Sequence, residues 1–171
     1  MMKYLKKALC LTLAALVLAG MAGCTGGREE EGPDLDPAEM VRAMAEVDTT
    51  LPEMVTKSSG DDQAKDNFFY LSELSYGKVE AYCYTYADEG TAEEIAVVKL
   101  KDKSDAAAMM ESLHQHVKAR QGTFEEYDPE QVPLTEDAVV IREGRYVALI
   151  VSKKNGLVQN EFKKFFQEGA Q

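Results

Sequence analysis

The run RYVALIVS, residues 145–152, is apolar on both sides of an extended chain. Successive side chains of a strand point to opposite faces. Val147, Leu149 and Val151 therefore share one face, and Tyr146, Ala148 and Ile150 the other. A strand with no polar face has no side to give to water, so it belongs in the interior of a sheet. AVVIR, residues 138–142, precedes it across Glu143-Gly144, and the pair reads as a hairpin closed by a two-residue turn. A second antiparallel hairpin is predicted from KVEAYCYTYA, residues 78–87, and EIAVVKLK, residues 94–101, around a turn at Asp88-Glu89-Gly90.

Helical spacing fills the intervals. Asp36-Pro37-Ala38-Glu39 is a helix start: an acidic cap, proline at the first position and glutamate three residues after the cap. Met40, Met44, Val47 and Leu51 then form one stripe, closed by Pro52. Residues 56–65 are polar and predict a loop, after which Asp66 caps a short helix carrying Phe69, Leu71 and Leu74 and ending at Gly77. Ser104 caps a long helix with Ala106, Met109, Met110, Leu113 and Val117 on one face, expected to end near Gly122. Residues 123–137, with Pro129 and Pro133, read as mostly irregular, and Val158, Phe162 and Phe165 mark a final helix. The expectation is an α+β domain in the order α-α-β-β-α-β-β-α. Its four-stranded, mostly antiparallel sheet would carry helices packed on one face.

The first residues follow a different logic. Lys3, Lys6 and Lys7 precede an apolar core from Leu9 to Ala19, and small residues follow up to Cys24. Basic start, short apolar core and small-residue exit form the pattern of an export signal. The apolar run is shorter than the roughly 20 residues a membrane-spanning helix needs. Met21-Ala22-Gly23-Cys24 resembles the lipobox of bacterial lipoproteins. That resemblance implies cleavage before Cys24 and lipid attachment to its thiol. Two acyl chains anchor far more firmly than one, because each buried methylene adds about 0.8 kcal/mol. The organisation expected is a signal peptide over residues 1–23, a flexible acidic tether over 24–36 and one globular domain over 37–171. Removing residues 1–23 takes away three lysines and no acids, which moves the formal net charge from −11 to −14. Such a surface does not favour nucleic acid, and it leaves acyl chains rather than surface charge to hold a membrane. Cys83 would be the one remaining free thiol, expected to be a buried, inert small hydrophobe.

Two blocks carry a family likeness: AEEIAVVKLKDKSDAAAMMESLHQHVKARQGTFEEYDPEQ, residues 92–131, and DAVVIREGRYVALIVSKKN, residues 137–155. With LPEM at 51–54, they resemble the family catalogued as domain of unknown function 4358. The resemblance implies a small exported lipoprotein of a Gram-positive, clostridia-like bacterium, and it implies location and fold rather than a reaction.

Catalytic patterns are absent from the residues. His114 and His116, two apart on a helix, diverge by about 200°, whereas a zinc-binding pair wants a four-residue spacing. Asp61, Asp62 and Asp66 lack the alternation, central glycine and late glutamate of a calcium loop. No nucleophile elbow, phosphate loop or dinucleotide fingerprint occurs. No cofactor, metal or catalytic residue is expected. The best binding candidate is the ladder Tyr82, Tyr84 and Tyr86 on one sheet face. It could grip an envelope protein or glycan, or it could pack under helices with its hydroxyls at the edge. The expected function is that of a lipoprotein on the outer face of the cell membrane, acting as a binding module of the envelope. An envelope hydrolase using carboxylates and an assembly factor acting through a sheet edge are the alternatives.

Overall fold

The computed structural model describes residues 32–168. The elements are α1 (Pro37–Glu46), β1 (Met54–Ser58), α2 (Ala64–Leu71), β2 (Val79–Ala87), β3 (Glu94–Leu100), α3 (Ala106–Tyr127), α4 (Val132–Glu136), β4 (Val139–Glu143), β5 (Tyr146–Val151) and α5 (Asn155–Glu168), with short 3-10 turns between some of them. The architecture is α+β, and its antiparallel sheet has five strands rather than four, in the order β1-β2-β3-β5-β4. The additional strand, β1, runs from Met54 into the first three residues of the stretch expected to be a loop, 56–58. It pairs with β2 from Met54–Ala87 to Ser58–Cys83.

Both expected hairpins form. β4 and β5 pair through Glu143 and Tyr146, so the two turn residues are Gly144 and Arg145, one place later than expected. Gly144 has φ +56°, the backbone state a II′ turn requires at its first position. β5 lies between β3 and β4, so the two-sided apolar strand is interior.

The helices lie on both faces of the sheet, not on one. α1 and α5 cover one face, where Met40, Met44, Val158 and Phe162 meet Cys83, Ile95, Val97, Ala148 and Ile150. α2 and α3 cover the other, where Phe68, Met109, Leu113 and Phe124 meet Tyr82, Ala96, Val98, Val147 and Leu149. The reason is the alternation itself: β3 and β5 are buried at every position, so neither face could be left to water.

Local chemistry accounts for the element ends. Asp36 caps α1 through its side chain, 2.9 Å from the Ala38 amide, with Pro37 in the first turn. α2 begins at Ala64, with Asp66 inside its first turn rather than at the cap, and Gly77 falls in a 3-10 turn beyond its end. α3 is entered through a 3-10 turn capped by Asp102. It runs through Gly122 to Tyr127 and buries Phe124. Pro129 opens a 3-10 turn and Pro133 lies in the first turn of α4, so much of the segment expected to be irregular is helical.

The domain is fastened to residues 33–35, assigned above to the tether. The Leu35 amide donates to the Tyr146 hydroxyl at 2.8 Å, and that hydroxyl donates to the Pro33 carbonyl at 3.1 Å. Lys99, largely buried, pairs with Asp34 and, at 2.8 Å, with Glu80. On the same side of the sheet, Asp48 accepts hydrogen bonds from Ser152 and from Thr50, which ties the α1–β1 connection to the end of β5. Burial opposes the Asp48 charge, but these hydrogen bonds and Lys154 outweigh it and hold the carboxyl below its ordinary value. Among the described residues no helix is long and apolar enough to cross a membrane.

Candidate functional site

The corner of the sheet between β1, β2 and the start of β3, on the α2–α3 face, holds a charged group deep in the fold. Glu94 opens β3 and shares a face with Ala96 and Val98, so its carboxylate points into the core, where it is 1 % exposed. An uncompensated carboxylate there would be very costly. Three side chains compensate it. The Tyr84 hydroxyl donates to Glu94 Oε2 at 2.9 Å. His116 Nε2 lies 3.0 Å from the same oxygen and 3.2 Å from Oε1. Arg120 Nη1 approaches Oε2 at 2.7 Å, off-axis for a hydrogen bond, while Nη2 donates to the Thr91 carbonyl at 3.0 Å.

His116 and Arg120 are four residues apart on α3, one above the other on a helix face. They continue the row that Met109 and Leu113 begin, so the turn of helix that packs on the sheet also delivers two basic groups to one carboxylate. Burial would push the Glu94 carboxyl up. The His116 hydrogen bond, the charges of His116 and Arg120 and the Tyr84 hydroxyl outweigh it and hold the group below its ordinary value. The Tyr84 hydroxyl is pushed well up by burial and by the adjacent Glu94 charge, so it stays protonated and donates.

This cluster floors a cavity of about 690 Å³ lined by Tyr84, Tyr86, Tyr70, His116, Arg120 and Lys57, among others. The β2–β3 loop forms one lip. Gly90 turns it with φ +77°, and it is held by Arg120 at Thr91 and by Gln131 at the Ala92 amide. α2 forms the other lip and is pinned at both ends. The Tyr82 hydroxyl donates to the Ala64 carbonyl at 2.7 Å, and Ser72 beyond its last turn bonds Ser112 of α3 at 2.7 Å. A larger depression of about 820 Å³ is lined by residues of α4, the first turn of α5 and the exposed Lys153 and Lys154, with no aromatic side chain.

The tyrosine ladder divides. Tyr82 is buried beneath α2, its ring 5.2 Å from Phe68. Tyr84 is buried but lines the cavity, and Tyr86 is half-buried with its ring 5.1 Å from that of Tyr84. Tyr70, which the ladder does not include, is 78 % exposed at the cavity rim. Cys83 lies on the opposite face, with burial pushing its thiol up to about 11. His114 is exposed, whereas His116 is half-buried, its side chain 12 % exposed and its ring bonded to Glu94. Among the described residues no group of three or more His, Cys, Asp and Glu side chains is set to hold a metal ion. Cys24 lies outside the described residues.

Glu94 and Arg120 escaped the sequence reading, which compared His116 only with His114. A signal was present: a glutamate at a core-facing strand position demands cationic partners. His116 and Arg120 stand one helical turn apart on the boundary of the long apolar stripe. No curated protein and no solved structure matches the chain. A family model described as Domain of unknown function (DUF4358) matches residues 54–152, which run from β1 to just past β5 and include the whole Glu94 cluster, and the chain belongs to that family.

Proposed function

We propose that this chain is an exported lipoprotein, held at the outer face of the cell membrane by acyl chains on Cys24, whose domain binds a component of the cell envelope in the cavity above Glu94. One observation carries the binding reading: the exposed ring of Tyr70 and the half-buried ring of Tyr86 meet a floor whose charges already answer one another. Such a site offers apolar faces and fixed polar groups without a standing charge to satisfy. The lipobox-like exit and the excess of acids over bases support the location.

A hydrolase using paired carboxylates fits the site less well. A general acid needs a carboxyl kept protonated, whereas Glu94 is held ionised. Strand addition at a sheet edge is also less suited, because the edge strands β1 and β4 are five residues each and β1 carries Lys57 near its centre.

Two measurements test the reading. Cys24→Ala is expected to release the protein to the medium or leave it unprocessed; a fully processed, membrane-bound variant ends the anchor. Purified, unlipidated Cys24→Ala protein is expected to co-sediment with isolated envelope material, and Tyr70→Ala/Tyr86→Ala in the same background is expected to abolish that. Equal sedimentation of this variant and of Tyr127→Ala, a change at an exposed tyrosine outside the cavity, ends the cavity as the binding site.

A further inference from the structure

We infer that the ligand of this site is a neutral, extended glycan lying in a groove that continues from the cavity across Tyr70 and along α2 and α3. The inference rests on the cavity being the binding site and adds the chemical class of what fills it. A second depression of about 210 Å³, lined by Phe69, Glu73, Ser112 and Gln115, shares Tyr70, His116 and Ala119 with the cavity. Tyr70 therefore stands where the two join.

α2 turns Phe68 and Leu71 into the core and leaves Phe69 and Tyr70, its other two large apolar side chains, 52 % and 78 % exposed. A helix of eight residues that exposes two adjacent aromatics forgoes the stabilisation their burial would give. Both line the groove, and with Tyr84 and Tyr86 they make four phenylalanine and tyrosine rings along it. A pyranose ring has an apolar C–H face that stacks on an aromatic ring and a rim of hydroxyls. Asn67, Gln115, Glu73 and Asp88 supply planar amides and carboxylates in the same lining, suited to paired hydroxyls.

Charge argues against an anionic ligand. Arg120 is committed to Glu94 and Thr91, and the remaining charged linings, Lys57 against Asp88 and Glu73, give no positive surplus for a phosphate or a polyanion. A peptide captured by strand addition needs a free row of backbone donors and acceptors. The groove instead follows the side chains of two helices and the interior strand β2, with Lys57 its one contribution from the edge strand β1.

The test titrates the full-length chain in mild detergent with neutral oligosaccharides of increasing length: β-1,4-glucan, N-acetylglucosamine and mannose oligomers. The chain has no tryptophan, so tyrosine fluorescence reports on binding, with calorimetry alongside. At least one series is expected to bind with affinity rising with length until the groove is filled. Tyr70→Ala is expected to weaken it roughly tenfold or more, Phe69→Ala to weaken only the longer oligomers, and Tyr127→Ala to change nothing. Absence of saturable binding across the panel, binding indifferent to length, or undiminished binding by Tyr70→Ala overturns the inference. If envelope sedimentation still depends on Tyr70 and Tyr86 while every oligosaccharide fails, the glycan falls and the cavity reading stands.

Discussion

The two faces of the sheet are closed by different means. Under α1 and α5 the packed cluster is apolar, with Met40, Met44, Val158 and Phe162 on Ile95, Val97 and Ile150, and gives way beside β1 to a depression of about 480 Å³ where Thr56 and Thr85 lie near Cys83. Its polar fastenings, Asp48 with Ser152 and Lys99 with Asp34, lie at the margins. Under α2 and α3 the apolar layer gives way at one corner to a buried ion cluster beside a cavity. Apolar packing is non-directional and tolerates rearrangement. A buried carboxylate tolerates little, because each partner must hold its place. The α1–α5 face therefore supplies stability, and the Glu94 corner supplies a fixed geometry, at the place where Tyr70, Tyr84 and Tyr86 gather.

The contrast can be broken by experiment. Phe162→Ala should cost roughly 3–5 kcal/mol in urea denaturation, by a similar amount at neutral and acid pH, since its buried ring packs within an apolar cluster. Arg120→Ala should cost about 3 kcal/mol at pH 7 by leaving Glu94 short of a countercharge. Glu94 is held below its ordinary value of 4.5 in the native fold, so its contribution is full above that pH and lost as pH falls through the lowered value. The Arg120→Ala penalty should therefore shrink on acidification, unlike that of Phe162→Ala. A penalty equally large at pH 3.5 would show that Arg120 acts by packing rather than charge. Asp36→Ala should cost about 1 kcal/mol by uncapping α1, a local loss measurable by helix-specific hydrogen exchange. Tyr70→Ala should change stability by less than about 0.5 kcal/mol while removing envelope binding; a large stability loss would mean the ring serves the fold.

Much of this contrast was legible in the residues. RYVALIVS is apolar on both sides and so needs cover on both, a consequence the one-face expectation did not draw, whereas both hairpins followed from alternation and turn residues. β1 did not, because an edge strand is defined by backbone pairing and Thr56-Lys57-Ser58 has the composition of the loop that follows. Gly122 looked like a helix stop, yet a Cβ there would meet nothing, and Phe124 and Arg120 on either side hold the helix to the sheet. Pro133 looked like a breaker, but in the first turn of α4 its missing amide costs nothing. For the site, the tyrosines were visible because aromatics alternate within one strand. The Glu94 cluster joins one strand to one helix, and such a meeting becomes readable only once the register of both is known.

The fastening at Pro33–Leu35 has a mechanical consequence. A pull exerted upstream of Gly32 reaches first the Tyr146 hydroxyl and the Asp34–Lys99 pair, before α1 takes any tension. The load thus enters near the hairpin end of β5, a strand hydrogen-bonded on both sides, while the Tyr70 groove on the far face of the sheet is spared.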